Sequence, residues 1–121
     1  MGFDLSGRGG YFRWTASGWA DLLQLAKDYG WQPIGTGAPR GTLKQDWPGI
    51  YHSNEGQLFY ARDASQLADA LTRFLDATSK PPQAKKRGRA QSSDSYFLTS
   101  AGRDSLDEFI TYCREGSFRL Q

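Results

Sequence analysis

The sequence predicts an α+β fold, with about three helices packed on a small antiparallel sheet that includes a central β-hairpin, in one compact domain over residues 1–121. Three observations predict it. Apolar residues recur at helical spacing in three separate segments, two β-prone runs flank a glycine-containing turn near the middle, and short aromatic-basic runs stand near both ends. A chain of 121 residues suits one core and leaves little room for two.

The first helix is written in "SGWADLLQLAKDYG", where Trp19, Leu22, Leu23 and Ala26 follow the i, i+3, i+4, i+7 spacing of one face. Ser17 or Thr15 supplies a side-chain oxygen to cap its start. Gly30 suits the left-handed position beyond its end, Trp31 follows where a contact back onto the last turn belongs, and Pro33 prevents resumption. The next segment, "WQPIGTGAPRGTLKQDW" from Trp31 to Trp47, is broken by Gly and Pro and reads as a long loop with room for one short helical turn. Loops of that length in small domains are often binding surfaces, which makes Arg40 and Trp47 candidate protein-interaction residues.

In "GIYHSNEGQLFYA" the runs Ile50–Ser53 and Gln57–Tyr60 flank Asn54-Glu55-Gly56, and Gly56 can take the positive φ of a three-residue hairpin loop. A second helix is expected from Asp63, read as its N-cap with Gln66 three residues on. Leu67, Ala68, Leu71, Phe74 and Leu75 form its apolar face, and Asp69 and Arg73 are spaced to pair on its outer side. Lys80-Pro81-Pro82 must end it. A third helix is expected over Ala101–Glu115, with Leu106, Phe109, Ile110 and Cys113 on one face, acidic residues early and Gly116 as the stop. "GYFRW" and "SFRL" read as strands that join the sheet.

Between the second and third helices lies "SKPPQAKKRGRAQSS", which holds five basic residues and no acidic one. Without it, the chain carries ten basic against thirteen acidic residues, so the remainder is mildly acidic. That balance argues against a nucleic-acid site on the folded body. The stretch has no aromatic side chain to stack on bases, and residues 79–95 read as a solvated connector within the domain. Lys85, Lys86, Arg87 and Arg89 are the candidate nucleic-acid contacts if it acts as an arm.

Motifs that would carry chemistry are weak. "GTGAPRGTLK" has the glycines of a phosphate loop, but Thr42 stands where its lysine should be. His52 is the only histidine and Cys113 the only cysteine, which excludes a multi-cysteine metal site and an internal disulfide. Cys113 falls on an apolar helix face, where a thiol is a packing group rather than a nucleophile. No catalytic residue, metal ligand or cofactor-binding residue is therefore assigned. The N-terminus lacks the basic and apolar regions of a secretory signal and no apolar run could span a bilayer, so a cytoplasmic chain without a membrane partner is expected.

The blocks "MGFDL", "YFRW", "GWADLLQLAKDYGWQPIGT", "SNEGQ", "DASQLADAL" and "LDEFITYCREGSFRL" resemble a group of short, stand-alone bacterial proteins that form a domain of unknown function. The resemblance spares roughly Gly37–Asp46 and the basic stretch. It implies a compact bacterial cytoplasmic domain and transfers no active-site residue. The leading expectation is a small protein-binding or regulatory module without catalytic activity. The alternatives are a nucleic-acid accessory protein using the basic connector, and a small enzyme using His52 with a carboxylate.

Overall fold

The structure, a computed structural model, describes residues 2–78 and 96–121. The basic connector, with Lys85, Lys86, Arg87 and Arg89, lies outside the described residues. The fold is α+β as expected, with three long helices on one antiparallel sheet. The order is β1 (Gly2–Gly7), β2 (Gly10–Thr15), α1 (Ala16–Asp28), a short 3-10 turn (Lys44–Asp46), β3 (Leu58–Phe59), α2 (Ala61–Ala77), α3 (Ser100–Arg114) and β4 (Phe118–Leu120). In space the strands run β2-β1-β4-β3.

Each helix end has a local cause. Thr15 caps α1 by accepting from the Gly18 amide at 3.0 Å. Gly30, at φ 101°, closes α1, with the Trp31 amide bonded to the Ala26 carbonyl at 2.9 Å and the Gly30 amide to that of Lys27 at 3.2 Å. This paired arrangement is the Schellman motif. Thr99 caps α3 by accepting from the Gly102 amide at 3.0 Å.

Gly102 is also a point of close approach. A Cβ there would stand 2.1 Å from the Tyr96 carbonyl oxygen and 2.9 Å from the Phe97 Cα. In an exposed helix, Gly→Ala stabilises by up to about 1 kcal/mol. Here the clash reverses the sign, and Gly102→Ala should cost about 1–3 kcal/mol, read as a lower thermal midpoint.

The sheet differs from expectation in its hairpin. Residues 50–53 form no strand, with bends at 51–53, and the sheet's hairpin is β1–β2, registered Gly2↔Thr15 through Gly7↔Gly10. The cause is the buried side chain of Gln57. Its amide nitrogen donates to the carbonyls of Ser53 (2.6 Å) and Ile50 (3.3 Å), while its carbonyl oxygen accepts from the Glu55 amide (2.8 Å). The loop's backbone groups are thus bonded to a side chain, and Gly56 and Gln57 turn their own backbone toward Leu120 in β4. "GYFRW" and "SFRL" are strands as read, each placed against β1, a strand that had no counterpart in the sequence reading.

Two surface expectations on α2 are also corrected. The helix begins at Ala61, so Asp63 is its third residue and not its cap. Asp69 pairs with Arg114 of α3 at 3.1 Å, and Arg73 donates to the Tyr29 carbonyl at 2.8 Å, so both side chains serve interhelix contacts.

The three helices cover one face of the sheet and bury a single core. Phe3, Leu5, Trp14, Phe59, Phe118 and Leu120 point into it from the strands. Trp19, Leu22 and Leu23 enter from α1, Leu67, Leu71 and Phe74 from α2, and Leu106, Phe109 and Cys113 from α3. The opposite sheet face, carrying Asp4, Ser6, Tyr11, Arg13 and Arg119, is covered by no described helix.

Candidate functional site

The segment between α1 and β3 is long and irregular, yet it is held at defined points. Its main anchor is Asp63, whose side chain is completely buried. One carboxylate oxygen accepts from the Trp31 indole at 3.0 Å, the other accepts the Tyr51 hydroxyl proton, and the Ile34 amide adds a backbone donor. The Tyr51 oxygen in turn accepts from the Gly35 amide at 2.8 Å. Burial is the largest influence on Asp63 and raises its carboxyl above the ordinary 3.8, against the three hydrogen bonds. Burial and the neighbouring carboxylate also push the Tyr51 phenol well up.

A second anchor is Thr36. Its hydroxyl donates to the Ile50 carbonyl at 2.7 Å and accepts from the Trp47 indole at 3.1 Å, and its amide bonds to Gly49. Trp47 is therefore half-buried and fixed. Arg40 is exposed and lines a cleft on the open sheet face that does not include Trp47, so the structure separates the two residues that the sequence grouped.

Catalytic candidates fare poorly. His52 is exposed and borders none of the described clefts. Cys113 is buried, and burial raises its thiol, which keeps it protonated and unreactive. Among the described residues, no three His, Cys, Asp or Glu side chains are arranged to hold a metal ion.

The feature that stands out is the outer edge of β2. Asp4 exchanges both backbone bonds with Gln121 beside β4 (3.0 and 2.8 Å), so in β1 it is Phe3, Leu5 and Gly7 that bond to β2. Their partners Trp14, Phe12 and Gly10 use their backbone groups inward. The backbone groups of Tyr11 and Arg13 consequently point away from the sheet, and no described strand pairs with them.

A groove of about 460 Å³ runs beside this edge. It is lined by four consecutive β2 residues, Phe12, Arg13, Trp14 and Thr15. Successive strand side chains point to opposite faces, so a lining that includes both parities places the groove along the strand's edge and not on one face. Ser17 and Asp21 of α1 and the rings of Tyr96 and Phe97 form the other wall. Tyr96 is 47% exposed there. Trp14 Nε1 is buried on this wall and finds no hydrogen-bond partner among the described residues.

Nothing in the local sequence announced this site, because which strand becomes an edge depends on the order of pairing. "GYFRW" did supply the relevant side chains. Among the described residues no helix is long and apolar enough to cross a membrane. Comparison with protein-family models, curated proteins and solved structures finds no match.

Proposed function

We propose that this protein is a small binding module without catalytic activity, one that takes an extended segment of a partner protein along β2. The observation that carries this reading is a strand edge left unpaired among the described residues, with a groove that Tyr96 borders directly beside it. An incoming strand gains main-chain hydrogen bonds from Tyr11 and Arg13, and its alternate side chains reach the exposed ring of Tyr96, which is backed by the buried Trp14 and Phe97. The edge is held firmly, because Arg13 and Tyr11 both bond to Asp4 across the hairpin at 2.5 and 2.6 Å. Preorganisation of this kind lowers the ordering cost of association. A cytoplasmic, bacterial setting fits this reading, through the resemblance to short bacterial proteins and a lone, buried cysteine.

The test is selection of displayed peptides of about ten residues on the immobilised protein. Enriched sequences should alternate apolar residues, and Arg13→Pro should weaken their binding about ten-fold or more by deleting an outward N–H, while Arg13→Gln, which retains that N–H and loses only the Asp4 pairing, should weaken it much less. Proline on an outward-facing edge position leaves the β1 bonds intact, so a normal circular dichroism spectrum is expected for both. Failure to enrich any peptide, or equal binding by Arg13→Pro, overturns the reading. Self-pairing of β2 edges between two copies would overturn it too, and would show as concentration-dependent dimerisation.

A further inference from the structure

The open face of the sheet carries a second cleft, of about 610 Å³, that is independent of the β2 edge. Its floor follows from strand register. Ser6 pairs with Arg119, and Arg119 with Leu58, so these three side chains form one row across β1, β4 and β3 on the face away from the helices. Arg8 follows directly after β1 and is held by its amide to the Ser117 carbonyl at 3.3 Å. Arg40 arrives from the long loop, which is tied to the sheet three residues earlier by the Gly37↔Leu58 bridge.

The result is one cavity lined by three arginines and by Ser6, Ser117 and Gln121, with no acidic side chain among the described residues of its lining. Arg119 spends one donor on the Gly56 carbonyl at 2.8 Å. Arg8 and Arg40 make no side-chain hydrogen bond or ion pair among the described residues. Asp4, the acid of this face, is engaged by Tyr11 and Arg13, whose hydrogen bonds hold its carboxyl below the ordinary range. Arg8 also borders the cleft that contains Glu108 and Glu115, without an ion pair to either.

Arginines gathered without an acidic side chain among the described residues of the cleft repel one another, and a guanidinium presents a planar fork of donors that matches an oxyanion. The volume is that of small-molecule sites, and Leu58, half-buried on this face, gives the cavity an apolar wall beside its cationic rim. From this geometry we infer a binding site for a small phosphate-bearing molecule, with Arg8, Arg40 and Arg119 on the phosphate and the apolar wall against the remainder. The site is the reverse of what the charge balance outside the basic connector implies, because that acidic average conceals one basic face.

The experiment is titration of the full chain at low salt with inorganic phosphate, pyrophosphate, adenosine 5′-diphosphate and a single-stranded oligothymidine, followed by calorimetry and by amide chemical shifts. Pyrophosphate and the diphosphate should bind one to one, with shifts centred on Ser6, Ser117 and Arg119. Arg40→Gln, which disturbs no described contact, should weaken them about ten-fold or more. Arg8→Gln should do the same, which guards against an indirect effect of either change. Failure of both compounds to bind at millimolar concentration overturns the inference, as does undiminished binding by both variants. Binding of the oligonucleotide without binding of either small compound also overturns it, and would assign the face to nucleic acid.

Discussion

Asp63→Ala is expected to lower the stability of this domain by about 3–5 kcal/mol, the range seen when one partner of a buried charged network is removed. The substitution removes the acceptor of three donors at once, Trp31 Nε1, the Tyr51 hydroxyl and the Ile34 amide, at a site with no solvent to replace it. Total stabilities of small domains are only about 5–15 kcal/mol, so the thermal midpoint should fall by roughly 10–20 °C. Asp63→Asn should lose less, because its carbonyl oxygen still accepts one donor. The long loop should loosen first, since Trp31, Ile34, Gly35 and Tyr51 all hang on this carboxylate. Amide exchange at residues 31–57 should therefore accelerate more than exchange in α3.

The same residue has a pH signature whose sign is fixed by its environment. Its carboxyl is raised in the folded chain, chiefly by burial, so the folded state holds the proton to higher pH than the unfolded state does. Stability from this group is complete below the ordinary value of 3.8 and is lost as pH rises through the folded value. The stability of the native protein relative to Asp63→Asn, which cannot titrate, should accordingly decline as pH is raised from about 3 toward neutrality. A difference that grows over that range would show that hydrogen bonds outweigh desolvation at this carboxylate.

Asp63 also shows where sequence reasoning stops. Its spacing from Gln66 fitted a helix cap, and a cap is a local inference. Its true partners, Trp31 and Tyr51, stand 32 and 12 residues away. The three helices were legible because 3.6-residue periodicity is local, and the ends of α1 were legible because Gly30 and Thr15 act within one turn. β1 was not, since Phe3 and Leu5 give only two buried alternating positions in "GFDLSG". The hairpin was misplaced because Gln57 competes for the loop's carbonyls through its side chain, and propensity is blind to that competition.

For the functional surfaces the divide is the same. The aromatic-basic run "GYFRW" was visible as a strand, but its edge position follows from a sheet order in which β1 lies between β2 and β4. Arg40 was picked from its loop, whereas Arg8 and Arg119 lie far from it in sequence and meet it only through cross-strand register. Summed charge described the chain correctly and the face wrongly.

Phe109→Ala is the second change expected to be severe, at about 3–5 kcal/mol. Phe109 is fully buried at the centre of the aromatic core. Its ring meets Trp14 edge-on at 5.5 Å and Trp19 at 6.1 Å, and it contacts Phe12, Tyr112 and Phe118 at 5.2, 6.0 and 6.2 Å between centroids. Truncation removes the area term of one aromatic side chain, opens a cavity and breaks edge-to-face pairs worth about 0.5–1.5 kcal/mol each. Phe109→Leu fills most of the space without the ring, so the gap between the Leu and Ala variants separates cavity cost from ring geometry. Because Trp14 and Phe12 rest on this ring, the loss should also reach β2: the near-ultraviolet signal of the tryptophans should diminish in Phe109→Leu even where the helices remain. Peptide binding at the β2 edge should weaken with it, while pyrophosphate binding on the opposite face should change much less. Equal loss at both sites would indicate global loosening and would remove the claim that the two surfaces are independent.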